Sequence, residues 1–208
     1  MRVKSTAGDS EYKLWLKPEE YEALCDVAED RSHKHHAVAL LGGSVGLRAQ
    51  EMAAVRPEDM YADDGLYWLR VHEEAGKDTT GSGGKLRDAH IPQDAYVELL
   101  ENRHKLDVEE DELLLGVTKS RVRDIVHELG DEMAARGDDV PGRSADWEKL
   151  SAHDLRRFFA QDRLVRKEMN PHTVMAIGGW SSLGAMEDYI KTPSDDVVAD
   201  EIKRVGLS

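Results

Sequence analysis

The sequence predicts an α+β domain that is mainly helical and carries one small antiparallel sheet. Apolar residues recur at helical spacing over most of the chain, between proline and glycine breaks. One run alone, Gly65 to His72, is dense in aromatic and strand-favouring residues. After a turn rich in glycine and threonine, Asp78 to Gly84, the stretch Lys85 to Pro92 alternates and should return antiparallel to it. At 208 residues the chain can hold one sizeable core.

The first helix starts at Pro18, which suits a first helical turn, with Glu19 and Glu20 at the positive end of the dipole. Tyr21, Leu24 and Cys25 form its apolar stripe, and it should end near Asp30. A second helix, His35 to Leu41, runs into the glycine-rich Gly42 to Arg48. A third begins near Arg48 and is stopped by Pro57. Beyond the strands, helices are expected at Gln93 to Lys105, Thr118 to Arg136, His153 to Lys167, Pro171 to Ile177, Gly184 to Tyr189 and Ser194 to Val205. Gly137 to Leu150, with Pro141, two glycines and Trp147, reads as a loop.

Composition bounds the function classes. No apolar run approaches the roughly 20 residues that cross a bilayer, and the first residues lack the apolar stretch of a signal peptide, so a cytoplasmic protein is expected. Cys25 is the single cysteine and reads as a small buried hydrophobe, with no internal disulfide or thiolate cluster. The formal charge is −14, from 42 acidic and 28 basic residues, which opposes long-range attraction to DNA. Acidic excess with 16 Arg against 12 Lys resembles adaptation to a salt-rich cytoplasm, where a Debye length of about 3 Å at molar salt screens distant repulsion. Basic residues converging on one face still permit a DNA enzyme.

Arg48, Lys77, His153, Arg156, Trp180 and Tyr189 are the candidate catalytic set. Guanidinium forks match the charged oxygens of a phosphodiester, and a lysine held against it can protonate a leaving oxygen. A phenol ionises near about pH 10, so a tyrosine nucleophile needs such a setting. Taken singly, each residue has a plainer reading. Arg48 with Glu51 would be a solvated ion pair, His153 and Arg156 a helix-end pair, and Tyr189 a core ring with a wet hydroxyl. Order and spacing together favour the set. His33, His35 and His36 read as a solvated helix start, so no metal and no cofactor are expected.

Four segments then resemble the tyrosine recombinases, the phage-integrase family. Val45 to Met52 (VGLRAQEM) resembles the family's tGLRxsEl box. Gly76-Lys77, with Lys85-Leu86-Arg87 and Ile91-Pro92, resembles its hairpin motif GKggKeRxvPl with a longer turn. His153-Asp154-Leu155-Arg156 resembles HxLR, and Gly178-Gly179-Trp180 with Tyr189 resembles the LGHxs…Y segment. The resemblance runs from about Leu16 to Lys191. It implies a catalytic domain with a three-stranded sheet, cleaving and rejoining double-stranded DNA through a 3′-phosphotyrosyl link.

In that reading Arg48 and Arg156 bind the non-bridging oxygens, Tyr189 attacks, Lys77 is the leaving-group acid and His153 assists proton transfer. Lys85 competes with Lys77 for the acid role; Lys77 is favoured because it directly follows the glycine. Lys85, Arg87 and Arg157 are expected on the DNA. Trp180 stands where most members have histidine, and its indole N–H can donate to a phosphate oxygen. Arg157-Phe158 replaces the frequent His-Thr.

The expected organisation is an N-terminal tail (1–15), the catalytic domain (16–192) and a C-terminal helix (193–208), without the separate core-binding domain of full-length recombinases. Val197, Val198, Ile202 and Val205 stripe that last helix, which is expected to fold back on its own domain. In the family a comparable helix docks on a neighbouring protomer within a homo-tetramer, which is the alternative. Two other functions stay open: a DNA-binding regulator of this fold, acting with a full-length recombinase, and a relaxing enzyme like type-IB topoisomerases.

Overall fold

A computed structural model describes residues 1–5, 12–75, 86–190 and 195–206. Strands β1 (Arg2–Ser5) and β2 (Tyr12–Trp15) pair antiparallel, with Arg2 opposite Trp15. The described residues of the expected N-terminal tail, 1–5 and 12–15, carry this ribbon, and Leu14 and Trp15 are buried. Helix α1 (Pro18–Arg31) follows, its first turn closed by Glu20, whose carboxylate accepts the Lys17 backbone N–H at 2.8 Å. Tyr21, Leu24, Val27 and Ala28 face the core.

Ser32 caps helix α2 (His33–Ala39), accepting from the His35 backbone N–H. His35 and His36 correct the expectation of a solvated helix start, since both are buried. His35 reaches Glu128 at 3.0 Å and His36 reaches Glu98 at 3.2 Å. Helix α2 passes into a π-helical turn, Leu40–Ser44, which delivers the chain to Gly46 and Arg48 ahead of the short helix α3 (Ala49–Met52).

The three-stranded sheet is antiparallel in the order β3 (Met60–Asp63), β4 (Leu66–Val71), β5 (Arg87–Ile91). Leu69 lies opposite Met60 on one side and Ala89 on the other. Asp64 and Gly65 both hold positive φ, 48° and 75°, which matches the twist of a tight hairpin.

Helices α4 (Gln93–Leu106), α5 (Lys119–Arg136), α6 (Ser144–Trp147), α7 (Ala152–Gln161), α8 (Pro171–Gly178), α9 (Leu183–Ile190) and α10 (Asp195–Arg204) complete the fold. The expected loop Gly137 to Leu150 contains α6, whose Trp147 is buried and donates to the Pro141 carbonyl at 2.9 Å. The expected single helix from His153 to Lys167 changes after Gln161 into a second π-helical turn, Asp162–Arg166. No described helix is long and apolar enough to cross a membrane.

Two apolar clusters organise these elements. The larger joins α1, α2, α4, α5 and the sheet, and Cys25 packs against it, burial pushing its thiol up to about 12. The smaller gathers Phe159, Val174, Ile177, Met186 and Tyr189 from α7, α8 and α9, with Trp180 from the turn between α8 and α9. It forms the floor on which the candidate site is assembled. Along the stripe of α10, Val197 is half-buried while Val198, Ile202 and Val205 are 39, 41 and 50% exposed.

Candidate active site

Arg48 immediately precedes α3, so its backbone N–H lacks a partner within that helix. Glu51 supplies one, accepting that N–H at 2.8 Å and the Arg48 Nη1 at 2.8 Å. The same carboxylate accepts Nη1 and Nη2 of Arg87, each at 3.0 Å. Glu51 is therefore no solvated surface partner: its side chain has no exposed area. Burial alone would raise its carboxyl, but the charges of Arg87, Arg48 and Arg156 and the Arg87 hydrogen bond outweigh it and hold the carboxyl below its usual range.

Arg156 enters from the middle of α7 and is 1% exposed. Its Nη1 donates to the Gly46 carbonyl and its Nη2 to the Gly178 carbonyl at 2.7 Å, while its guanidinium lies 4.0 Å from the Trp180 ring. Gly46 has φ +81°, and a Cβ there would meet the Phe159 ring at 2.5 Å. Only glycine brings that carbonyl to Arg156. Burial first, then the charge of Arg48, push the Arg156 guanidinium down to about 9, which leaves it charged at neutral pH. Its Nε is buried with no hydrogen-bond partner among the described residues.

Three arginines from three elements capture three successive carbonyls where α8 ends. Arg87 Nε donates to Ile177 at 3.2 Å, Arg156 Nη2 to Gly178 at 2.7 Å and Arg48 Nη2 to Gly179 at 3.0 Å. The last carbonyls of a helix carry partial negative charge and lack partners within it. Gly179 closes α8 in the left-handed region, φ +71°, and a Cβ there would sit 2.7 Å from Arg87 Nε. One carboxylate, Glu51, and four carbonyls, counting Gly46, thus hold three guanidinium groups together. An anion is the natural addition to such a cluster.

Helix α8 and its turn in turn place Trp180 and helix α9. Trp180 and Tyr189 are 8 and 6% exposed, with ring centroids 5.3 Å apart in an edge-on pair. The Tyr189 hydroxyl meets His153 Nε2 at 2.7 Å. Burial of the ring face, then the charges of Arg157, Arg156, Arg48 and Lys13, push His153 down to about 4. The imidazole is neutral at pH 7 and can accept the phenol proton through Nε2. The residue as a whole stays exposed, so the site opens to solvent beside His153 and the partly exposed Arg48.

Of the expected residues, His153, Tyr189, Trp180 and Arg156 form one continuous set of contacts, and Arg48 joins them through the Gly179 carbonyl next to Trp180. Lys77 and Lys85, and the turn Asp78 to Gly84, lie outside the described residues. Gln50 Nε2 donates to the Ala75 carbonyl at 2.8 Å, tying the chain two residues before Lys77 to helix α3. Arg87 and Arg157, expected on the DNA, are both engaged within the protein. The Arg87 fork is spent on Glu51 and Ile177 with the side chain 9% exposed, and Arg157 is buried against Asp154. Glu51, present in the first motif but read as solvated, is buried at the centre of this cluster and is the candidate residue the sequence left unassigned.

Residues 14–194 match the phage integrase family. The chain belongs to that family, and its fold is that of a tyrosine recombinase catalytic domain. Among solved structures it resembles XerA recombinase at 18% identity and TM-score 0.68, over 93% of this chain and 65% of that one. It also resembles the Tn1549 transposon integrase in complex with transposon right end DNA, at 16% identity and TM-score 0.66, over 96% and 68% of the two chains. XerH recombinase bound to a palindromic difH substrate aligns at 19% identity and TM-score 0.63, over 93% and 53%. The chain thus spans about two thirds of XerA and about half of XerH. No curated protein matches it in sequence.

Proposed function

We propose that this protein cleaves and rejoins double-stranded DNA through Tyr189, as a site-specific recombinase or integrase. The observation that carries the reading is the Tyr189 hydroxyl, 2.7 Å from His153 Nε2, beside a cluster of three guanidinium groups. The unpartnered Nε of Arg156 supports it further, because a buried donor left idle costs about 1–3 kcal/mol and a phosphate oxygen would satisfy it.

In the proposed reaction Arg48 and Arg156 hold the non-bridging oxygens, with the Trp180 indole packed against Arg156. The Tyr189 oxygen attacks phosphorus as its proton passes to His153. The bond to the 5′-oxygen breaks, and Lys77 protonates the leaving group. One phosphoester replaces another, so attack by a 5′-hydroxyl reverses the step without an external energy source. The electrostatic work is done by cations fixed before substrate arrives.

A second copy of the chain is the proposed partner of α10, whose apolar stripe is exposed while its flanks are charged. Deleting Pro193 to Ser208 should lower the molar mass of the complex on DNA; an unchanged mass would remove that part. Action on cytoplasmic DNA in a salt-rich cell is the setting that the charge of −14 suits.

Trapping on a nicked duplex tests the reaction. Loss of the short 5′-hydroxyl fragment should leave protein covalently attached to DNA. Tight binding without any adduct would instead mark a regulator, and plasmid relaxation without strand exchange a topoisomerase-like enzyme.

A further inference from the structure

Arg157 occupies an unusual place for a residue beside a DNA site. Its side chain is 4% exposed and faces three elements. On its own helix it pairs with Asp154. On strand β2 its Nη1 donates to the Leu14 carbonyl at 3.2 Å, and its guanidinium lies 5.1 Å from the Trp15 ring. On helix α9 the same guanidinium lies 5.9 Å from the Tyr189 ring. Asp154 completes the arrangement by accepting the Leu14 N–H at 2.9 Å.

The pair thus offers the edge of β2 one acceptor and one donor, as a neighbouring strand would. A buried ion pair adds little stability over apolar packing, because both charges lose their water. It does impose direction. Two rings lie within cation–π range of one guanidinium, so Arg157 links Trp15 to Tyr189.

We propose that Arg157 is a positioning residue for strand cleavage, wedged between Trp15 and Tyr189 so that strand β2 sets where the phenol hydroxyl meets His153. The inference rests on the reading of Tyr189 as nucleophile. His153 is faced by Arg156 and Arg157 from its own helix, by Arg48 from the turn before α3, by Lys13 from β2 and by the Tyr189 hydroxyl from α9. Arg157 exerts the largest of these charge effects, which keeps the imidazole neutral but lowers its basicity, so the role assigned to Arg157 rests on geometry.

The test pairs Asp154→Asn with Arg157→Met, so that no lone charge is left buried, and compares Arg157→Lys. Three quantities are measured: single-turnover cleavage of a nicked duplex against pH, the dissociation constant for that duplex, and the imidazole titration of His153 by NMR. The double variant should cleave at least tenfold more slowly, bind DNA within twofold of wild type, and titrate His153 at a higher pH. Arg157→Lys should restore the low titration but only part of the rate. Wild-type rate and titration in the double variant would overturn the proposal, as would weaker binding with an unchanged rate, the mark of a DNA contact.

If the wild-type chain forms no adduct, the recombinase reading fails. The role of Arg157 in cleavage falls with it, whereas an adduct in wild type and an unchanged double variant overturn the role of Arg157 alone. If the double variant does not fold, Arg157→Lys and Trp15→Leu decide. Wild-type cleavage in both overturns the proposal, and a several-fold loss in both supports it.

Discussion

Glu51 and Arg87 form a two-pronged ion pair, 3.0 Å on each prong, in which the carboxylate has no exposed surface. Because Arg48 binds the same carboxylate, Arg87 limits how far Glu51 can turn toward it. Glu51→Gln leaves two guanidinium groups facing a neutral amide. It should lower the unfolding free energy by about 3–5 kcal/mol, the usual cost of breaking a buried pair, in urea titrations. Arg87→Lys keeps the charge but loses the fork, and cleavage should fall about tenfold.

Arg48 itself is partly exposed, so its replacement should separate chemistry from folding. Arg48→Lys retains a cation and loses paired donation to a phosphate. Cleavage should fall at least tenfold, with a melting temperature close to wild type. Wild-type rates would remove Arg48 from the site.

The acid limb of stability should carry the signature of two groups. Glu51 is held below its ordinary carboxylate range in the fold, so its contribution is present above the unfolded pKa of about 4.5 and lost as pH falls through the lower folded value. His153 is pushed from 6.5 to about 4, so below pH 6.5 the unfolded chain binds the proton that the folded chain refuses. Its contribution is therefore present above 6.5 and lost as pH falls toward 4. Solvent screening at this exposed residue keeps that effect to about 1 kcal/mol. Denaturant titrations at pH 7 and pH 5 should show the drop in wild type and a smaller one in His153→Phe.

Gly179 tests the carbonyl cluster. With φ +71°, alanine there costs about 1–2 kcal/mol in backbone energy, and its Cβ would meet Arg87 Nε at 2.7 Å. Gly179→Ala should shift Arg87 and the carbonyl that receives Arg48, reducing cleavage at least tenfold while DNA affinity changes little. A single-turnover assay with a binding titration separates the two.

The helices were legible wherever a long apolar stripe met a clear boundary, as in α1 with Pro18 and in α5, expected over Thr118 to Arg136 and found over Lys119–Arg136. Strands β1, β2 and β3 were not, because four residues hold too few alternations to stand out. The Asp64-Gly65 turn was the missed sign of the β3–β4 hairpin. Motif order brought Arg48, His153, Arg156, Trp180 and Tyr189 into one set. It gave no sign that Arg157 is interior, since its partner Leu14 lies 143 residues away and the contact is to backbone. The carbonyls of Ile177, Gly178 and Gly179 escaped for the same reason: every residue carries one, and only the fold aims them.

The most direct measurement is mass spectrometric mapping of the protein after reaction with a nicked duplex and nuclease digestion. A 3′-nucleotide remnant attached through phosphate should appear on the peptide containing Tyr189, and Tyr189→Phe should abolish it while still binding DNA. An adduct on another residue, or an equal yield from Tyr189→Phe, would contradict the account.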